Sequence, residues 1–182
     1  MSEDASAGTS DSVLPDELIA AARRVVEENS AIQRRVAVAE SCTGGLVCAA
    51  LTEIVGSSAV FESGFVTYSN EAKIATLGVS RDVLDTFGAV SIATAWSMAQ
   101  GALAKSGADV AVAITGVAGP GGGSEKKPVG TVVFARAERE GDPADIVADR
   151  KNFGDIGRGG IRLQAALCAL ELLLPGPAVE AA

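Results

Sequence analysis

Two short apolar runs constrain this chain more than any other feature. They are Val36-Ala-Val-Ala39, entered from Arg35, and the stretch Asp109-Val-Ala-Val-Ala-Ile-Thr115. Neither shows the polar alternation of a half-exposed strand. A strand that is apolar on both faces must be covered on both, so these runs predict central strands of an α/β sheet. Helical patterns surround them. Pro15 opens a helix of about four turns, with Leu18, Ala22 and Val25 on one stripe and Ile19 and Val26 beside it. After the first run, Leu46, Ala50 and Ile54 share a face adjoined by Val47 and Leu51. Phe61 to Tyr68 is β-rich and predicts a second strand, and the segment from Asn70 turns helical. Ser91 caps a long helix with Ile92, Trp96, Ala99 and Leu103 on one side.

The stretches Thr131–Ala137 and Ala144–Asp149 flank Gly141-Asp142-Pro143, which reads as a strand–turn–strand pair. A last helix runs from about Ile161 to Leu174, with a wide apolar face at Leu163, Leu167, Leu170 and Leu174, and stops at Pro175-Gly176-Pro177. The order α-β-α-β-α-α-β-β-β-α predicts an α/β fold, a three-layer α/β/α sandwich with a mixed, mostly parallel sheet. At ~150 residues per domain, 182 residues make one domain, placed at 15–174. Residues 1–14 read as a disordered N-terminal tail, and 175–182 as a C-terminal tail.

Composition narrows the chemistry. The chain has no histidine, so Ser-His-Asp, Cys-His and imidazole-ligated metal chemistry are excluded. The three cysteines, Cys42, Cys48 and Cys168, form no C-x-x-C pair, which leaves no zinc site and no disulfide framework. No metal or cofactor is expected. Lys plus Arg number 15 against 23 Asp plus Glu, a net charge of −8, so a nucleic-acid partner is disfavoured. No stretch approaches 18 uninterrupted apolar residues, and the first dozen residues lack a signal-peptide core. With free thiols, this reads as a cytoplasmic protein with no membrane partner. The broad apolar helices suit a homo-oligomer, a dimer among the options.

Four segments could carry chemistry. Glu40-Ser-Cys-Thr-Gly-Gly45 lies where a buried strand gives way to a helix. Ligands collect at the carboxyl ends of such strands, and helix N-terminal N–H groups favour an anion or a developing oxyanion. Ser41 and Thr43 are equally ordinary as helix caps, and Cys42 is a rival nucleophile with no histidine to activate it. In Gly64-Phe-Val-Thr-Tyr-Ser-Asn-Glu-Ala-Lys73, Tyr68 ends a strand and Lys73 sits in the first turn of the next helix. The helix dipole there favours a neutral lysine, the base needed when histidine is absent. A solvated surface lysine is the bland alternative. The glycine-rich stretch from Thr115 to Gly130 follows a buried strand but matches neither the Walker nor the dinucleotide pattern. It is either a ligand loop, with Lys126 and Lys127 ready for an anion, or a flexible connector. Finally, Arg158 and Arg162 stand four apart at a helix start, an arrangement that suits phosphate or plain solvation alike.

Taken together, Ala-Glu-Ser-Cys-Thr-Gly-Gly, Gly-Phe-Val-Thr-Tyr-Ser-Asn-Glu-Ala-Lys, Gly-Ala-Val-Ser (88–91) and Thr-Gly-Val-Ala-Gly-Pro with Lys-Pro-Val-Gly-Thr resemble the CinA C-terminal domain family from about residue 15 to 174. The resemblance implies a three-layer α/β/α fold without the N-terminal domain that many relatives carry. It implies hydrolysis of the carboxamide of nicotinamide mononucleotide to nicotinate mononucleotide and ammonia, with a pyridine nucleotide as the small-molecule partner. Ser41 matches the nucleophile, and Tyr68 and Lys73 its activating partners. Thr43, Gly44 and Gly45 fall to substrate and oxyanion binding, Thr115, Gly116 and Gly119 to the pocket loop, and Lys127, Arg158 and Arg162 to the phosphate. Two departures stand out: Gly121 replaces the family's acidic residue after Gly-Pro, and Gly-Asp-Arg is stretched to Gly154-Asp-Ile-Gly-Arg158. A non-catalytic nucleotide-binding or regulatory module using the same pocket is the alternative.

Overall fold

A computed structural model describes residues 12–142 and 146–176. Residues 1–11 and 177–182 of the expected tails lie outside the described residues, as do Pro143 and the first residues of the strand expected from Ala144. The chain runs α1 (Asp16–Ala31), β1 (Val36–Glu40), α2 (Leu46–Thr52), a short 3-10 turn (Ser57–Ala59), β2 (Phe61–Val66), α3 (Asn70–Leu77), α4 (Arg81–Phe87), α5 (Ile92–Lys105), β3 (Val110–Gly116), β4 (Thr131–Glu138), β5 (Val147–Asn152) and α6 (Gly157–Leu173). The sheet order is β2-β1-β3-β4-β5. β1 pairs parallel with β2 and β3, β3 pairs antiparallel with β4, and β4 pairs antiparallel with β5. Only β4 therefore opposes the other four, and the sheet is mixed and mostly parallel in direction, as expected.

The two apolar runs explain the layers. Successive side chains of a strand point to opposite faces. Val36, Val38, Val110, Val112 and Ile114 face one core, with residues of α1, α2 and α6. Ala37, Ala39, Ala111 and Ala113 face the other, with residues of α3, α4 and α5. The alanine face suits close helix packing, and α5 answers with Ala95, Ala99 and Ala102, all fully buried.

Three details differ from the sequence expectation. The helical stretch after Asn70 is split: Gly78, left-handed at φ 70°, ends α3, and Ser80 caps a separate α4 by accepting from Asp82 N–H. The buried stripe of α5 is Thr94, Ala95, Met98, Ala99, Gly101, Ala102 and Leu103, while Ile92 is exposed. In α6 the buried face is Ile161, Ala165, Ala166, Ala169, Leu170 and Leu173, and Leu163, Leu167 and Leu174 only flank it. Three alanines occupy half of this buried stripe, where α6 packs against α1 and the sheet. Ser91 caps α5 as expected, accepting from Thr94 N–H.

Candidate active site

The site lies at the carboxyl ends of β1, β2 and β3. The ladder continues one step past β1 on both sides: Ser41 N–H donates to Ile114 O at 2.9 Å, and Thr67 N–H donates to Glu40 O at 2.8 Å. Ser41 is thereby held by the backbone of the sheet. Lys73, 32 residues away in sequence, comes from the first turn of α3, which Ser69 caps by accepting from Ala72 N–H at 3.0 Å. Its Nζ donates to Ser41 Oγ at 3.0 Å, to Thr67 O at 2.8 Å and to Tyr68 O at 3.4 Å. Lys73 is 1% exposed and Ser41 7% exposed, so this is a buried pair rather than a surface lysine.

Burial holds the Lys73 pKa below the ordinary 10.5, offset only in part by Cys42 nearby. Desolvation disfavours the ammonium, and three oxygens surround Nζ. Two of them are backbone carbonyls, which can only accept. The Ser41 hydroxyl is the one partner that can also donate, so a neutral amine held by the two carbonyls could accept its proton. A lysine 3.0 Å from a hydroxyl, with its charged form disfavoured by burial, has the spacing that a serine nucleophile and its base require. Cys42, beside Ser41, is buried and its thiol is pushed up to about 11, chiefly by burial. It is a neutral thiol near pH 7 and a poor nucleophile.

The pH dependence follows. Activity requiring neutral Lys73 should fall on the acid side with a single-proton limb whose midpoint lies below 10.5. The stability sign is the reverse of the usual lysine case. Between the lowered folded pKa and 10.5 the unfolded chain binds a proton that the folded chain does not, so folding strengthens as pH rises through that window. A pH–rate profile beside pH-dependent denaturation of Lys73→Met checks both, and a wild-type acid limb absent from kcat/KM would contradict the assignment.

Glu40 opens the first of the four segments, and its own part there was not apparent from the sequence. It is completely buried, and its carboxylate accepts from the N–H groups of Gly45 (2.9 Å), Val47 (3.3 Å) and Cys48 (2.9 Å). It neutralises the N-terminus of α2 from the residue just before Ser41. The available signal was an acidic residue ending an apolar strand a few positions before a helix. Gly44 and Gly45 take left-handed conformations (φ 60° and 94°), which let the turn fold back onto that carboxylate. Their N–H groups are spent, Gly44 on Ser41 O at 3.1 Å and Gly45 on Glu40. The expected oxyanion donors at these two glycines are therefore corrected. The N–H groups of Cys42 and Thr43, next after Ser41, enter no backbone hydrogen bond.

The remaining candidates divide into those at the site and those beside it. Tyr68 is 60% exposed, and its hydroxyl accepts from Arg158 Nη2 at 2.9 Å, so only its carbonyl meets Lys73. Arg158 also donates to Gly119 O at 2.8 Å. Arg162 donates to Thr43 O at 2.8 Å. Thr115, near the end of β3, donates to Ala89 O at 2.8 Å and ties down the 88–91 segment, and Gly116 closes the β3–β4 ladder opposite Val132. Lys127 donates to Phe87 O at 2.8 Å, at the end of α4, and makes no bond to the Ser41–Lys73 group. Three buried polar groups around the pair, Thr43 Oγ1, Thr67 Oγ1 and Arg162 Nε, have no partner among the described residues. Such a group costs about 1–3 kcal/mol if nothing meets it. Surface cavities of about 250 Å³ by Trp96 and Arg136, and about 490 Å³ by Phe87 and Val90, contain neither Ser41 nor Lys73. Among the described residues no group of three His, Cys, Asp or Glu could hold a metal ion, and no helix is long and apolar enough to cross a membrane.

A buried serine–lysine pair lies at the carboxyl edge of this three-layer α/β/α domain, and the chain carrying it belongs to the CinA C-terminal domain family, whose profile matches residues 19–175. Its relatives include the nicotinamide-nucleotide amidohydrolase PncC of Enterobacter agglomerans, 52% identical over 139 residues, or 76% of this chain and 82% of that protein. The PncC of Escherichia coli (strain K12) is 49% identical over 158 residues, or 86% and 93%. The crystal structure of competence/damage inducible protein CihA from Agrobacterium tumefaciens superposes with a TM-score of 0.85 at 51% identity, covering 89% of this chain and 96% of that one.

Proposed function

We propose that this protein is an amidohydrolase that converts nicotinamide mononucleotide to nicotinate mononucleotide and ammonia, with Ser41 as nucleophile and Lys73 as its base. The observation that carries this reading is the buried Lys73 Nζ, 3.0 Å from Ser41 Oγ and steered by two carbonyls. The two PncC relatives supply the substrate class by their names.

Ser41 Oγ attacks the carboxamide carbon as Lys73 takes its proton. The oxyanion is met by the N–H groups of Cys42 and Thr43. Lys73 then returns the proton to the nitrogen, ammonia leaves, and Ser41 holds the acyl group as an ester. Water attacks that ester as Lys73 takes its proton; the bond to Ser41 Oγ then breaks, Lys73 returns the proton to Oγ, and the product leaves as the carboxylate. Tyr68 positions Lys73 through its carbonyl, and its O–H remains free to donate toward the departing nitrogen. Arg158 and Arg162 hold the phosphate by charge-assisted hydrogen bonds, local positive charge on a chain of net −8. No step uses a metal. The place of action is the cytoplasm, and the assembly a homo-oligomer.

Ammonia release from nicotinamide mononucleotide, beside nicotinamide riboside and NAD, tests the reading. Release is expected with the mononucleotide and should survive exhaustive chelation. No release would favour a non-catalytic nucleotide-binding module, and loss on chelation with rescue by a divalent ion would sink the mechanism.

A further inference from the structure

Resting on the amidase reading, we propose that Arg158 couples the substrate's phosphate to turnover, by bracing the two walls of the site across the nucleophile. Strand order supplies the geometry. The end of β1 lies between the ends of β2 and β3. Tyr68 stands just past β2 and Gly119 just past β3. One guanidinium joins them, Nη2 to the Tyr68 hydroxyl at 2.9 Å and Nη1 to Gly119 O at 2.8 Å. It therefore spans the end of β1, where Ser41 is 7% exposed.

Arginine carries five N–H donors in a rigid fork. Two are spent on the brace, and Arg158 is solvent-exposed, so the others can hold an anion. Keeping a long exposed side chain in one rotamer is opposed by entropy. A phosphate on the spare donors immobilises the fork, and with it the Tyr68 hydroxyl and the loop that carries Gly119. Binding energy gained far from the carboxamide is then expressed at the reacting centre, in kcat as well as in KM. Arg162, one turn further along α6, adds its charge to the phosphate site but does not join the two walls, since its fork reaches the nucleophile turn at Thr43 O.

The experiment separates the phosphate from the rest of the substrate. Nicotinamide riboside is turned over with and without added inorganic phosphate, and nicotinamide mononucleotide is the reference. Phosphate should raise kcat on the riboside by about tenfold in the wild type and leave Arg158→Ala unmoved. Arg158→Ala should lower kcat on the mononucleotide as well as raise KM. Arg158→Lys keeps the charge but not the fork, so it should restore KM more than kcat. Tyr68→Phe removes one end of the brace and should blunt the activation. If phosphate leaves wild-type riboside turnover unchanged, or Arg158→Ala raises KM alone, Arg158 is a simple anchor and the coupling is wrong. Equal losses on both substrates would make it purely structural. A wild-type protein that releases no ammonia from the mononucleotide overturns the amidase reading itself, a result distinct from each of these.

Discussion

Ser41→Ala and Lys73→Met should each lower turnover of nicotinamide mononucleotide by on the order of 10³-fold or more, and the double variant should be little worse than either. In the proposed mechanism the pair works as one unit, so removing either member removes the function of both. Stability should behave otherwise. Lys73 is a 1%-exposed amine among carbonyls and a hydroxyl. Methionine fills the same space without the desolvation penalty but leaves Thr67 O without its donor, so Lys73→Met should cost no more than about 3 kcal/mol. A dead but well-folded Lys73→Met is the signature of a residue kept for chemistry. Cys42→Ala should retain most activity, because its thiol, at about 11, is protonated near pH 7. If Ser41→Ala stays active while a folded Cys42→Ala is dead, the nucleophile moves one residue along the chain. Turnover measured beside thermal unfolding decides between these outcomes.

Glu40→Ala should produce the largest loss of stability, about 3–5 kcal/mol. The substitution leaves three N–H groups at the start of α2, those of Gly45, Val47 and Cys48, without the carboxylate that receives them. Against a typical total of about 5–15 kcal/mol, that is a large share. Glu40→Gln should lose roughly half as much, since one oxygen still accepts while the new NH₂ faces a donor. Activity should fall with both, because the turn that presents Ser41 hangs on that carboxylate. Denaturant midpoints at an unchanged m-value measure the effect. A Glu40→Ala midpoint within about 1 kcal/mol of wild type would mean that water replaces the carboxylate at no cost, and that Glu40 does not organise the turn.

Much of this molecule is local in origin and was legible as such. The runs at 36–39 and 109–115 alternate valine with alanine on two buried faces, and this alone demands helices on both sides of a sheet. Ser91 before an apolar helix is a cap wherever it folds. Ser41 at a strand–helix junction and Lys73 in a first helical turn were singled out because a chain without histidine has few other bases. What the tertiary structure decided are the encounters between distant residues. Lys73 meets Ser41 because β2 lies beside β1, an ordering that neither segment encodes by itself. Arg158 meets Tyr68 across 90 residues for the same reason, although the sequence pointed Tyr68 toward Lys73. The buried faces of α5 and α6 were misread because periodicity reports which positions share a stripe, while the size of the facing surface selects the stripe that fits. Glu40 stayed hidden because an acidic residue at a strand end looks solvated until the helix that folds back onto it is in place, and only burial turns its charge into the anchor of the site.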